Sequence, residues 1–322
     1  MKSVVQRSAS FDTAVSLLKH PRLLGTTFDY RASIYLAGAG RSGTTWLSNI
    51  INYDNKYRDI FEPFDSTYVS VAAPFFSGLY LRPTDDRPVY REAATNILTG
   101  RVGNRRLDAA NRRPFRRQRM VKEVRGNLWL KWLRNRFPDI PMVLLIRHPC
   151  AVAISRVQLE WATLIPQYLA QSTLMADHLE PLRAHIEAAQ SPFEKHIFAW
   201  CIQHYVPLRQ LGPRDVYVVF YEDLCVDTRA EIQNLFAFLG RNSSEETLHR
   251  AAVPSFTNFR KTTIARKSGE ELATGWKRNM GREQLQTAMR ILSLFGLDAI
   301  YGEEGHPKVK SLNGFFSGKT KL

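Results

Sequence analysis

Cysteine is scarce in this chain, with three in 322 residues. Cys150, Cys201 and Cys225 are too widely spaced for a disulfide framework or a CxxC metal site, so a reducing, cytoplasmic setting is expected. No apolar run approaches the roughly 18 residues that a membrane-spanning helix needs, and Met1 to His20 lacks the apolar stretch of a signal peptide. The sequence therefore reads as soluble, with contact at a membrane surface left open. The histidines show no ligand spacing, no metal is expected, and no internal repeat is found. Acidic residues are in short supply: 30 Asp and Glu stand against 45 Lys and Arg, a formal net charge of +15. Long-range electrostatics then favour anionic partners. Eight of the arginines fall between Arg101 and Arg119, either as a solvated face or as an acceptor-binding surface. No DNA- or RNA-binding motif accompanies them, so nucleic acid is not an expected partner.

The apolar content, 44%, is enough for a sizeable core, and no compositional seam divides the chain. One domain over residues 1–302 is expected, followed by a flexible tail over 303–322 that is rich in Gly, Pro, Ser and Lys. Ser33 to Ala37 reads as a strand, the glycines of 38–43 as a turn, and Thr44 to Ile51 as a helix. Further strands are predicted over Met120–Val124, Met142–Ile146 and Val216–Phe220. Helices are predicted over Leu128–Arg136, from near Cys150, through much of 168–211, and over Arg229–Leu239. Strands alternating with helices imply an α/β fold: a P-loop-like three-layer domain with a mostly parallel central sheet flanked by helices.

Gly38-Ala-Gly-Arg-Ser-Gly-Thr-Thr45 has the glycine spacing of a phosphate-binding loop. A triphosphatase would place Lys after the second glycine of the motif; this chain has Thr44 there and carries its cation earlier, as Arg41. The strand 142–146 ends in Arg147 rather than in the Asp of a Mg²⁺ site, which suits an anion and repels a metal. Ser155 follows two turns into the next helix, so Arg147 and Ser155 can face one crevice. Two anchors at the carboxyl ends of parallel strands suit a nucleotide with phosphates on both sides of its ribose.

On these residues the sequence resembles the sulfotransferases that use 3′-phosphoadenosine-5′-phosphosulfate (PAPS). Arg41-Ser-Gly-Thr-Thr-Trp46 is similar to their 5′-phosphosulfate loop, Arg147 to Ser155 to their 3′-phosphate motif, and Tyr221-Glu-Asp-Leu224 to a third segment. The resemblance implies that Gly40, Arg41, Ser42, Gly43, Thr44 and Thr45 hold the 5′-phosphate, that Arg147 and Ser155 hold the 3′-phosphate, and that Trp46 and Tyr221 approach the adenine. Arg266-Lys-Ser-Gly269 and Gly275-Trp-Lys277 resemble an RKG…WK segment of the cytosolic enzymes, with longer spacing; Arg266 and Lys267 would then also touch the nucleotide. PAPS is the implied co-substrate.

Lys122 matches a strand lysine of the cytosolic group, but Val124 stands where those enzymes have a catalytic histidine. Glu62, 21 residues after Arg41, replaces it, in an arrangement similar to carbohydrate and tyrosylprotein sulfotransferases. Glu62 is the expected base, with a pKa raised by Phe61 and Pro63; Arg41 and Lys122 are the charge stabilisers, and Glu123 is the reserve base. The acceptor is expected to be a hydroxyl of a carbohydrate, an acidic glycan or a glycolipid. A tyrosyl or lipid hydroxyl, a P-loop kinase and a non-catalytic polyanion binder are the rival readings.

Overall fold

The computed structural model describes residues 28–111, 117–252, 268–312 and 315. Its centre is a five-stranded, all-parallel sheet of β1 (Ser33–Gly38), β2 (Tyr57–Phe61), β3 (Gln118–Glu123), β4 (Met142–Ile146) and β5 (Tyr217–Phe220), in the order β2-β3-β1-β4-β5. The expected α/β architecture is present. Every residue of β1 and β4 is buried, as befits parallel strands covered on both faces. Alternate side chains enter two different cores. Tyr35, Ala37, Val121 and Leu144 join the larger one, whereas Ile34, Leu36, Met120 and Val143 join the smaller.

The helices that matter for the site follow the strands. They are α1 (Thr44–Ile51) after β1, α2 (Pro88–Leu98) between β2 and β3, α3 (Leu130–Arg136) after β3 and α4 (Pro149–Gln158) after β4. Next come α5 (Pro192–Gln210), α6 (Tyr221–Val226), α7 (Thr228–Phe238), α8 (Glu245–Ala251), α9 (Gly269–Thr274) and α10 (Arg282–Leu294). Local chemistry starts them sharply. Pro149 occupies the first turn of α4, and the His148 ring accepts the Cys150 N–H at 3.2 Å. Ser191 and Glu194 form a reciprocal capping box at the start of α5. His148 is thereby structural: burial pushes its pKa down to about 3 and its Nε2 faces the Gly302 carbonyl at 2.9 Å.

The path of the chain makes a crevice. The connection leaving β1 runs to β2 on one side, and the connection leaving β4 runs to β5 on the other. The carboxyl ends of β1 and β4 therefore flank a topological switch point, where α/β sheets bind ligands.

Several elements went unforeseen, among them α2, α8, α9 and α10; two bear on the site. β2 reads Tyr-Arg-Asp-Ile-Phe, and its charged pair hides the strand pattern; Arg58 is nevertheless buried, donating to Asp108 at 2.7 Å and to the carbonyls of Gly100 and Val102. Its outer backbone is occupied by the segment that follows α2. Phe61 N–H donates to Leu107 O, and the Asn111 amide both accepts from Asp59 N–H and donates to Asp59 O. The helix α6 also begins directly where β5 ends. Near the start of the segment 303–322, Tyr301 bridges Pro307, Lys308 N–H donates to Ile300 O and Leu312 is buried; most of 313–322 lies outside the described residues. Among the described residues no helix is long and apolar enough to cross a membrane, and the three cysteines are free and buried.

Candidate functional site

The loop between β1 and α1 turns through two residues of positive φ, Arg41 (78°) and Gly43 (100°). Gly43 has no alternative. A Cβ there would lie 2.8 Å from the Tyr221 ring, in a backbone conformation that L side chains avoid. At Gly40 a Cβ would meet the Trp161 ring at 2.7 Å. The turn leads into α1, whose first N–H groups have no partner within the helix and favour an anion. Thr44 and Thr45 line the cavity here. Ser42 is fully buried and is not among the lining residues, and both its hydroxyl and its N–H point back to Ala39 O.

Arg147 leaves the end of β4 with its guanidinium 4.1 Å above the Tyr221 ring and its Nη1 3.3 Å from Arg41 O. Its Nε is buried and has no hydrogen-bond partner. Ser155, expected beside it on the nucleotide, instead accepts Arg41 Nε at 3.0 Å. Burial, then the neighbouring Arg147, lowers the pKa of Arg41. Trp46 packs edge-to-face on Tyr221, centroids 5.5 Å apart, and its indole N–H donates to Ala251 O. These two rings, with Cys225, Leu248 and Leu272, form an apolar end to the cavity. Arg266 and Lys267 lie outside the described residues.

At the other end stand the residues of β2 and β3. Glu62 follows β2 with φ of 49°, and its N–H donates to Lys122 O at 2.7 Å. Its carboxylate accepts Lys122 Nζ at 3.0 Å and Arg125 Nη1 at 2.7 Å, while Arg106 Nη2 lies at 3.5 Å. Burial alone would raise the pKa of Glu62, as the sequence suggested. The charges and hydrogen bonds of Lys122 and Arg125 outweigh it and hold the carboxyl below its usual value. Lys122 is almost fully buried, its ammonium 3.9 Å from the Phe61 ring centroid. Glu123 faces the opposite side of the sheet. It accepts the N–H groups of Phe64, Val124 and Arg125, and burial first of all raises its pKa.

Loop, Arg147, Trp46, Tyr221, Glu62 and Lys122 open into one cavity of about 1290 Å³, larger than the roughly 300–1,000 Å³ typical of small-molecule sites. Among its described lining residues seven are Arg or Lys and only Glu62 is acidic, a charge balance that favours an anion. Three of the lining residues that the sequence reading missed bear on the site. Arg125 sits three positions after Lys122, a signal that was available. Arg156 braces the loop by donating to Gly40 O at 3.1 and 3.2 Å and to Gln203; no pattern marks it. Trp161, 45% exposed, forms a wall beside Gly40. The basic run also divides: Arg119 is buried, Arg106 reaches the cavity, and Arg101, Arg105 and Arg117 are exposed.

A model of the sulfotransferase domain matches residues 31–292. No curated protein sequence matches significantly. Similar solved structures include the sulfotransferase domain from the Synechococcus PCC 7002 olefin synthase, at 17% identity and TM-score 0.46, covering 82% of this chain and 94% of that one. Sulfotransferase STF9 from Mycobacterium avium is similar at 13% identity and TM-score 0.47, covering 91% and 82%. Mouse sulfotransferase SULT7A1 complexed with PAP is similar at 14% identity and TM-score 0.41, covering 91% and 93%.

Proposed function

This chain belongs to the sulfotransferase family, and we propose that it moves the sulfuryl group of PAPS to a carbohydrate or glycolipid hydroxyl, with Glu62 as the base. The observation that carries this reading is one cavity holding two separate anion anchors and one carboxylate: the loop 40–45, Arg147, and Glu62 paired with Lys122. The residues fit a bisphosphorylated nucleotide. Thr44, Thr45 and the start of α1 would take its 5′-phosphate, and the buried, unpartnered Nε of Arg147 its 3′-phosphate. Trp46 and Tyr221 supply the apolar end for a base.

In the reaction the acceptor oxygen bonds to sulfur as the sulfur–oxygen bond to the nucleotide's 5′-phosphate breaks, releasing adenosine 3′,5′-bisphosphate (PAP). The proton of the hydroxyl passes to Glu62. Arg41 and Lys122 stabilise charge on the transferred group and departing phosphate, a contribution of about 3 kcal/mol per well-placed donor. Burial is outweighed by Lys122 and Arg125, which keep Glu62 ionised and so able to accept a proton at neutral pH, at the expense of basicity. Trp161 offers an exposed aromatic face beside the loop, suited to packing against a sugar ring.

Calorimetry with PAP, AMP and ATP tests the nucleotide, and sulfur-labelled PAPS with a panel of glycans, glycolipids, tyrosyl peptides and sterols tests the acceptor. Binding of PAP well above AMP and ATP without Mg²⁺, and label on a glycan or glycolipid, is expected. Equal affinity for AMP, or Mg²⁺-dependent preference for ATP, overturns the assignment.

A further inference from the structure

We infer that Arg106 forms a subsite for an oxyanion carried by the acceptor, a carboxylate or sulfate ester near the hydroxyl that receives the sulfuryl group. The inference rests on the sulfotransfer reading and narrows the acceptor to a negatively charged one.

Charge pairing around the base holds Arg106 only at long range. Two carboxylates lie here: Glu62, which lines the cavity, and Asp65, which is buried and does not. Arg125 bridges both, at 2.7 Å and 3.0 Å, and Lys122 adds a second contact to Glu62 at 3.0 Å. The third carboxylate nearby, Glu123, is turned to the far side of the sheet, capped by three backbone N–H groups, and its closest cation is Arg125 at 3.7 Å. The short contacts to Glu62 and Asp65 thus come from Lys122 and Arg125. Arg106 reaches the same pair only at 3.5 and 3.6 Å, beyond good hydrogen-bond length, and its Nη1 is buried with no partner among the described residues.

Two aromatic rings also hold this guanidinium in place. Its central carbon lies 4.1 Å from the Tyr68 ring centroid and 5.3 Å from that of Phe61. Ring contacts orient a guanidinium without consuming its N–H groups. The side chain keeps 30% of its surface exposed and lines the cavity beside Glu62. A cation that is oriented, held by its carboxylates only at 3.5–3.6 Å and open to the cavity is the arrangement that a carboxylate or sulfate needs.

The experiment uses PAP-saturated protein and measures dissociation constants of two matched probe pairs by calorimetry. One pair is p-nitrophenyl glucuronide and its neutral glucuronamide; the other is a p-nitrophenyl galactoside bearing one sulfate ester and the unsulfated galactoside. At least one anionic probe should bind about tenfold or more tightly than its neutral partner, the scale of a charged hydrogen bond, and which pair discriminates separates carboxylate from sulfate. In Arg106→Gln the ratio should collapse toward one, and Arg106→Lys should restore part of it. Affinity for PAP, measured on each variant, reports the fold. Ratios near one in the wild type, no binding of any probe, or a ratio unchanged in Arg106→Gln overturns the subsite. Failure of wild-type protein to prefer PAP over AMP instead overturns the sulfotransfer reading itself.

Discussion

Arg41 Nε lies 3.0 Å from Ser155 Oγ, so the turn after β1 and the second turn of α4 share one hydrogen bond. The two proposed phosphate anchors, the loop 40–45 and Arg147, are also joined directly: Arg147 Nη1 reaches Arg41 O from the end of β4. Losses in PAP affinity for Arg41→Ala and Ser155→Ala should then be non-additive, with a coupling of about 0.5–3 kcal/mol in a double-mutant cycle. Strict additivity would mean that the contact is idle.

Arg147→Ala should weaken PAP by roughly 2 kcal/mol or more while leaving AMP nearly unaffected, because a charge-assisted contact to the 3′-phosphate is lost. Calorimetry on the folded variant decides it. Equal losses for PAP and AMP would move Arg147 away from the 3′-phosphate.

For Glu62→Gln, labelled transfer from PAPS should fall by two or more powers of ten with PAP affinity retained. The structure adds a second consequence. The amide no longer balances Lys122, which is almost wholly buried, and stripping one partner from such a pair costs about 3 kcal/mol, so the melting temperature should drop too. Glu123→Gln, whose parent carboxylate caps backbone N–H groups, should lose stability without a comparable loss in turnover per folded molecule. Near wild-type turnover by Glu62→Gln would pass the role elsewhere.

The pH profile offers an independent check. Lys122 and Arg125 outweigh burial and depress the pKa of Glu62, so its stabilising pairs persist above the unfolded value and are lost as pH falls through the lower folded one. The acid limb of kcat/KM should lie below the usual carboxylate range. Replacing Arg125 with Gln removes a charge and a 2.7 Å contact, so that limb should shift to higher pH; an unmoved limb would show that another group titrates.

Glu222 carries the opposite sign. Fully buried, it accepts His148 N–H at 2.9 Å and the Tyr301 hydroxyl at 2.8 Å, and burial pushes its pKa up to about 7. A raised folded value makes its contribution complete below the unfolded pKa and lost as pH rises through about 7. Relative to Glu222→Gln, the wild type should lose about 3 kcal/mol between mildly acidic and neutral pH. Denaturant melts across that range would reveal a flat difference if Glu222 did not titrate there.

Much of this was legible in the sequence because the informative signals are local. β1, its glycine turn and α1 lie in one stretch, and β4 with Arg147 and α4 in another; apolar runs and turn residues mark both. What escaped depends on contacts distant along the chain. β2 was hidden because Arg58 and Asp59 look solvated, and only Asp108, 50 residues away, makes burial of Arg58 tolerable. The environment of Glu62 escaped for the same reason. Phe61 and Pro63 suggested an apolar pocket, whereas Lys122 and Arg125 arrive from another strand and reverse its pKa shift. The turn of the Ser42 hydroxyl toward Ala39 O was not legible either, because a motif records which residue is present, not which way its hydroxyl turns.

The occupied outer rim of β2 bears on colloidal behaviour. A bare sheet edge templates further strands from other molecules. Here Leu107 and Asn111 take up the hydrogen-bonding groups of Phe61 and Asp59 that a foreign strand would seek, and the Arg58–Asp108 pair clamps that cover in place. The segment that brings Arg106 to the cavity thus also shields the sheet from cross-molecular pairing. Damage to it would first be seen as aggregation.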